Sequence, residues 1–135
     1  MGAEIDIALV SRLLGVVDIV SVAPGDFLFR EEDKADGFYI VRSGELQIIH
    51  GDIIYETIRA GDIVGEMAVV DETTRSASVL ARTRAELVAV DPPGFLSLVK
   101  NEPAFALTVM RVMSRRLRKM NRRYETVQTK HPAAP

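Results

Sequence analysis

The alternation of hydrophobic and polar positions divides the chain into a short helical start, a long β-rich middle and a helical end. Apolar residues at helical spacing predict a helix over residues 5–14. From residue 16 to residue 91 the pattern changes to short runs of β-forming residues, separated by turns that contain glycine. The predicted strands span residues 16–22, 27–29, 38–41, 46–49, 53–58, 76–80 and 86–90. Short strands at this spacing predict a sandwich, a roll or a jelly roll.

Two helices are predicted after the last strand. The sequence Pro92-Pro93-Gly94 ends the strand, and a short helix follows over residues 95–100. A long helix then runs from Ala104 to about Gln128, with neither proline nor glycine inside it. Its apolar residues are three and four positions apart in turn, the stripe of a helix that packs along its length: Met110, Met113, Leu117, Met120, Tyr124 and Val127.

These elements indicate a single domain of mainly β structure with flanking helices, a jelly-roll-like β-roll (a double-stranded β-helix). Its predicted parts are an N-terminal helix over residues 1–15, the roll over 16–91, the C-terminal helices over 92–129 and a disordered tail over 130–135. A chain of 135 residues suffices for one core but not for two.

Composition excludes several classes of function. The chain has no cysteine, which excludes thiolate metal sites and thiol nucleophiles and agrees with a cytoplasmic location. Its two histidines, His50 and His131, have no ligand-type neighbours at useful spacing, so we interpret both as structural or incidental and expect no metal-dependent enzyme. No apolar run is long enough to span a bilayer.

The charge is distributed unevenly along the chain. The formal net charge is −2, but the residues from Phe105 onward carry +7 and the residues before them −9. We interpret the basic end as the solvated face of the long helix, with contact to nucleic acid or anionic lipid as the alternative.

The segment of residues 61–79 contains the residue types that a phosphate-containing ligand requires. Gly65 permits a close approach of the backbone, and a helical turn over residues 66–70 would direct free N–H groups toward an anion. Arg75 can grip two oxygens of a phosphate in a fork. Glu66 would repel an anion unless it accepts a hydrogen bond from the same ligand, as an acidic residue does from a ribose hydroxyl. Together these residues indicate a binding site for a nucleotide monophosphate. The alternative is that Glu66 and Arg75 form an ion pair that only stabilises the loop between them.

The sequences Gly65-Glu66-Met67-Ala68 and Arg75-Ser76-Ala77-Ser78-Val79 resemble the phosphate-binding cassette of the cyclic nucleotide-binding domain family. That family includes the bacterial catabolite activator protein, the regulatory subunits of protein kinase A and cyclic nucleotide-gated channels. The likeness extends to residues 24–28, 35–41 and 43–46 in the family's order, and covers about residues 16–128. It implies a β-roll that holds the nucleotide and a C-terminal helix that acts as a lid.

The resemblance also implies a role for each matching residue. Glu66 would accept the ribose 2′-hydroxyl, and Arg75 would pair with the cyclic phosphate. Backbone N–H groups would bind phosphate oxygens at Met67, Ala68, Ser76 and Ala77, with Gly65 at the close approach. An apolar slot for the base would be formed by Ile48, Ile58, Val64 and Ala77, with Leu117 and Met120 from the lid helix.

The function that this resemblance implies is a sensor domain for cyclic AMP or cyclic GMP, with no catalytic activity, cofactor or metal. The alternatives are a sensor fragment of a DNA-binding transcription regulator or of an ion channel, and a dimerisation module that has lost ligand binding. Too few residues follow the long helix for a helix-turn-helix, so direct nucleic-acid binding is not expected.

Two further expectations concern partners and local shape. The partner would be a second copy, through the long helix, or an effector domain of a longer parent protein.

Glu32 stands where relatives usually have glycine, which predicts a differently shaped turn over residues 31–36.

Overall fold

The structure, a computed structural model, describes residues 5–15, 17–67 and 74–130, with side chains through residue 122. Within these residues eight strands and three helices follow one another in the predicted order. They are α1 (Ile7–Leu14), β1 (Asp18–Val22), β2 (Phe27–Phe29), β3 (Phe38–Ser43), β4 (Leu46–His50), β5 (Ile53–Ile58), β6 (Ile63–Val64), β7 (Ser78–Ala81), β8 (Ala85–Val90), α2 (Pro92–Asn101) and α3 (Ala104–Lys130).

Some predicted features fall elsewhere or outside the described residues. The helical turn predicted over residues 66–70 is described only at Glu66 and Met67, and the predicted disorder of residues 131–135 lies outside the described part of the chain. Lys130, predicted to belong to the tail, is the last residue of α3. Strand β6 was not predicted, since two residues are too few for an alternating pattern to be recognised.

The described strands form two four-stranded sheets with the orders β1-β8-β3-β6 and β2-β7-β4-β5. Strands that neighbour one another pair in the antiparallel direction. This arrangement is the predicted roll, and it brings β4 beside β7, the strand that follows Arg75, with β5 on the far side of β4.

The first sheet is buried on both faces. Along β3, Phe38 and Ile40 point to a core that the helices cover, where they meet Val109 and Val112 of α3. Val41, on the opposite face, belongs to a second core between the two sheets. Strand residues alternate between faces, so a run of consecutive apolar residues is required here. Burial on both sides therefore explains the unbroken apolar pattern of this strand.

Helix α3 packs on the roll mainly through residues that lie outside the predicted stripe. Phe105, Val109 and Val112 are its buried apolar residues, spaced four and three positions apart. In the predicted stripe, by contrast, Met110 is 57% exposed and Leu117 is 60% exposed. The helix carries two apolar stripes a fraction of a turn apart, and periodicity alone does not choose between them. Of the predicted stripe, Met113 packs against the core and Leu117 and Met120 line a cavity of the roll, whereas Tyr124 and Val127 lie outside the residues whose side chains are described.

Candidate functional site

A cavity of about 520 Å³ lies between the second sheet, the segments before β7 and after β6, and helix α3. Small-molecule sites in proteins commonly have volumes of roughly 300–1,000 Å³, so a ligand of nucleotide size fits this range. The lining residues are Phe29, Ile48, His50, Tyr55, Glu56, Val64, Gly65, Glu66, Met67, Thr74, Arg75, Ser76, Ala77, Val79, Met113, Ser114, Arg116, Leu117, Lys119 and Met120.

Arg75 contributes a buried cationic side chain to the cavity wall. The residue is only 4% exposed. Its Nη1 donates to the Gly37 carbonyl at 2.7 Å and to the Gly65 carbonyl at 3.3 Å, and the guanidinium carbon lies 4.2 Å from the centre of the Phe29 ring. Its Nε has no hydrogen-bond partner among the described residues. Cation–π contact and two carbonyls satisfy this group only in part.

The electrostatic surroundings of Arg75 are those of a cation that an anion would stabilise. None of the ion pairs among the described residues includes Arg75. Burial lowers the pKa of Arg75, and the nearby Tyr39 and Asp36 only partly offset that effect. A buried cation of this kind is costly unless it is paired, so the site favours a negatively charged ligand.

Gly65 leaves the room that Arg75 occupies. Its φ of +83° lies in the left-handed region that favours glycine. A Cβ at this position would stand 2.6 Å from Nη1 of Arg75, much closer than a real contact. Any larger residue here would push the guanidinium away from the Gly65 and Gly37 carbonyls.

Glu66 pairs with a residue of the long helix rather than with Arg75. Oε1 of Glu66, which is 4% exposed, accepts a hydrogen bond from Nη1 of Arg116 at 2.7 Å. Nε of the same arginine donates to Oε1 of Glu56 at 3.2 Å, and its Nη2 donates to the Ile63 carbonyl at 2.6 Å. The alternative of a Glu66–Arg75 ion pair is therefore wrong.

The charged forms of Glu56 and Arg116 are both favoured by the oppositely charged groups around them. Burial alone would raise the pKa of Glu56, but the charges and hydrogen bonds of Arg116 and Arg115 outweigh it and lower that pKa. Arg115 contributes a contact of 3.0 Å to Oε2 of Glu56. Burial alone would lower the pKa of Arg116, and the two carboxylates outweigh it and raise that pKa. The network ties α3 to β5 and to the residue that follows Gly65.

Most of the residues proposed from the sequence lie on one wall or another of the cavity. They are Gly65, Glu66, Met67, Arg75, Ser76 and Ala77 of the cassette, Ile48 and Val64 of the base slot, and Leu117 and Met120 of the long helix. Ala68 lies outside the described residues.

Ile58 does not line the cavity. It is fully buried in the core between the sheets, where it pairs in register with Leu46 at the far end of β5. Glu56, two residues earlier on the same face of the strand, occupies the cavity wall instead. A charged residue at an inward-facing strand position is the signal that would have identified Glu56.

His50, interpreted from the sequence as structural or incidental, also lines the cavity. Its polar contacts are to Glu31 and Ser76, which are 19 and 26 positions away. No local spacing rule reaches that far, so only the folded strands bring these groups together.

The fold and site define a ligand-binding β-roll closed on one side by a helix. A family model described as the cyclic nucleotide-binding domain matches residues 19–102. The chain therefore belongs to the cyclic nucleotide-binding domain family, as the resemblance predicted. The predicted fold class, mainly β with flanking helices, is confirmed as well.

Curated relatives carry this domain within much longer proteins. The chain is 31% identical over 114 residues to a cAMP-dependent protein kinase regulatory subunit of Schizosaccharomyces pombe, a match to 84% of this chain and 27% of that protein. It is 28% identical over 114 residues to the lysophospholipase NTE1 of Mycosarcoma maydis, which covers 82% of this chain and 6% of the relative. The chain thus spans about a quarter or less of these two relatives, one of which is a regulatory subunit and the other an enzyme.

Solved structures share the same fold. The catabolite activator protein of Thermus thermophilus superposes with a TM-score of 0.77 at 25% identity, covering 91% of this chain and 60% of that one. A structure described as cAMP-bound PfPKA-R superposes with a TM-score of 0.71 at 22% identity, covering 78% of this chain and 36% of that one. The second likeness concerns the fold alone.

Among the helices that the structure describes, none is long and apolar enough to cross a membrane.

Proposed function

We propose that this chain is a non-catalytic sensor domain that binds cyclic AMP or cyclic GMP in the cavity beside Arg75. The observation that carries the proposal is the state of Arg75, which lines the cavity and is 4% exposed. Its Nε has no hydrogen-bond partner among the residues that the structure describes. A cyclic phosphate brings one negative charge and acceptor oxygens to that group. The family membership of the chain supports the same ligand class.

The proposed ribose acceptor is Glu66, which lies on the cavity wall. Its Oε1 accepts a hydrogen bond from Arg116 at 2.7 Å, which orients the carboxylate so that its second oxygen can accept from a ribose hydroxyl. The Ser76 and Ala77 backbone and the side chains of Ile48 and Val64 border the rest of the ligand.

In this proposal α3 acts as a lid that senses the ligand through Arg116. The helix is anchored at its start by Phe105, Val109 and Val112, whereas Leu117 and Met120 line the cavity and are about half exposed or more. A ligand that bonds to Glu66 changes the interaction between Glu66 and Arg116, and it changes the apolar surface next to Leu117. A ligand moves a helix only through such differential contacts.

The domain would pass this signal to an effector domain of a longer parent protein, or to a second copy. The sequence matches only a part of each of the relatives described above, which supports the first arrangement. The exposed apolar residues of α3, Leu107, Met110 and Leu117, supply a surface for the second. We propose that it acts in the cytoplasm, since a chain without cysteine suits a reducing compartment.

Isothermal titration calorimetry with cyclic AMP and cyclic GMP tests the proposal. One molecule per chain should bind with a Kd of about 1 μM or tighter, equivalent to roughly −8 kcal/mol. Linear 5′-AMP is the matched control and should bind far more weakly. If the chain binds neither cyclic nucleotide, the proposal is wrong and a dimerisation module without ligand is the better interpretation. Equal binding of 5′-AMP would also contradict the proposal, because the site would then not distinguish a cyclic phosphate from a linear one.

The role of Glu66 has its own test. Glu66→Gln should weaken the binding of the cyclic nucleotide but should hardly change the binding of its 2′-deoxy analogue. If wild type and variant discriminate equally against the deoxy analogue, Glu66 is not the ribose acceptor.

A further inference from the structure

His50 holds the backbone of the cassette from the end of β4. Its Nδ1 lies 3.2 Å from the carbonyl oxygen of Ser76 and 3.4 Å from Oε2 of Glu31. Both neighbours are hydrogen-bond acceptors, so Nδ1 is the nitrogen that carries a proton. The ring also packs against Tyr55, with centroids 6.0 Å apart. These contacts set both the tautomer and the orientation of the imidazole.

Glu31 is itself fixed to the segment that His50 contacts. Its backbone N–H donates to Oγ of Ser78 at 2.9 Å. The contacts therefore form a closed loop from Ser78 to Glu31, from Glu31 to His50, and from His50 back to Ser76. Such a loop restrains the two peptide groups between Ser76 and Ser78 more strongly than any one contact would.

The same turn holds the backbone of Arg75 on both sides. The Glu32 N–H donates to the Arg75 carbonyl at 2.8 Å, and the Arg75 N–H donates to the Asp33 carbonyl at 2.8 Å. Glu32 adopts a φ of +74°, in the left-handed region that favours glycine.

We propose that His50 is a positioning residue of the ligand site, which orients the peptide group between Ser76 and Ala77. In a trans peptide the carbonyl and the N–H point in opposite directions. Once His50 holds the Ser76 carbonyl on one side, the Ala77 N–H is directed to the other. Ser76 and Ala77 both line the cavity, and Ala77 N–H is one of the groups proposed to bind a phosphate oxygen. This inference rests on the proposed function, because it assigns His50 to the binding of the same ligand.

Two substitutions separate this positioning role from a direct contact with the ligand. The amide nitrogen of asparagine can take the place of Nδ1 of histidine, whereas that of glutamine takes the place of Nε2. His50→Asn should therefore keep the bond to the Ser76 carbonyl and bind cyclic nucleotide within about 3-fold of wild type. His50→Gln and His50→Ala should each bind about 10-fold more weakly, the loss expected for one oriented hydrogen bond.

The experiment uses calorimetric titration with whichever cyclic nucleotide the wild-type chain binds, and thermal unfolding of each variant without ligand. Asp52→Ala, in the exposed turn next to His50, is the matched control and should bind as wild type does. The His50→Asn and His50→Gln variants both remove the imidazole ring and differ only in how far the amide nitrogen lies from the backbone. The comparison of their affinities therefore tests the positioning role even if His50→Ala is poorly folded.

The outcomes distinguish this inference from the proposed function. If the wild-type chain binds no cyclic nucleotide, the proposed function fails, and the inference fails with it. If wild type binds and His50→Ala binds equally well, the positioning role alone is wrong. If His50→Gln keeps the affinity and His50→Asn loses it, the imidazole contacts the ligand through Nε2 and the positioning role is overturned.

Discussion

Replacing Arg116 by methionine should destabilise the domain strongly, even without ligand. Methionine keeps an apolar stem of similar length and removes only the guanidinium. Glu66, 4% exposed, then loses its 2.7 Å partner, and the carbonyl of the fully buried Ile63 loses its 2.6 Å donor. Glu56 is affected less, because Arg115 still lies 3.0 Å from its Oε2.

The magnitude follows from these three losses. Breaking a buried ion pair by removing one partner costs about 3–5 kcal/mol, because a buried charge is left uncompensated. The lost bond to the carbonyl adds about 1 kcal/mol. Water that enters the open cavity can solvate Glu66 and offsets part of this sum, so we expect a loss of about 3 kcal/mol in the free energy of unfolding. For a chain of this length, that corresponds to a fall of about 10 °C in Tm.

Urea unfolding followed by circular dichroism at neutral pH measures this loss. Arg118→Met, at an exposed position of the same helix, is the control and should stay within about 0.5 kcal/mol of wild type. Adding Glu66→Gln to Arg116→Met should recover a large part of the loss, since an unpaired amide is less costly to bury than an unpaired carboxylate. An Arg116→Met domain as stable as the Arg118→Met control would refute the view that this arginine neutralises a buried carboxylate.

Three further predictions follow from the same contacts. Arg75→Lys should weaken the binding of cyclic nucleotide about 100-fold in calorimetry, since an ammonium keeps the charge but not the fork; binding within 3-fold of wild type would contradict the phosphate role. The lowered pKa of Glu56 means that its ionised form stabilises the fold above the ordinary pKa of 4.5, and that this contribution disappears as the pH falls through the lowered value. The stability advantage of wild type over Glu56→Gln should therefore be largest at neutral pH and shrink in acid, and a constant difference in urea unfolding would contradict it. Glu32→Gly should stabilise the domain by about 1 kcal/mol, because Glu32 has a φ of +74°, whereas Asp52→Gly should not; loss of stability in Glu32→Gly would show that the left-handed backbone carries no strain.

The fold was largely predictable because its signals are local. The alternation of the strands, the turns and the unbroken apolar run of β3 each involve consecutive residues. The predicted strands differ from the observed ones by about two residues at their ends. The chemistry of the cassette is also local, since Glu66 and Arg75 are nine positions apart in one short segment. The strands and the chemistry of the cassette can therefore both be predicted from one sequence alone.

The contacts that complete the site were not predictable in the same way. Arg116 is 50 positions from Glu66 and 60 from Glu56, and His50 is 26 positions from Ser76. Which face α3 turns to the roll decides whether Arg116 reaches the carboxylates at all. That choice depends on how Phe105, Val109 and Val112 pack, and the periodicity of the helix fits two faces.

The charges around the cavity give a physical reason for a monoanionic ligand. Among the lining residues that the structure describes, the cations are Arg75, Arg116 and Lys119, and the anions are Glu56 and Glu66. The formal charges of these five side chains sum to +1, and Arg116 is already shared between the two carboxylates. A cyclic phosphate carries one negative charge, whereas a phosphate monoester carries about −1.5 to −2 at neutral pH. The monoester would bring its additional charge close to Glu66, and that repulsion opposes its binding while the cyclic diester avoids it.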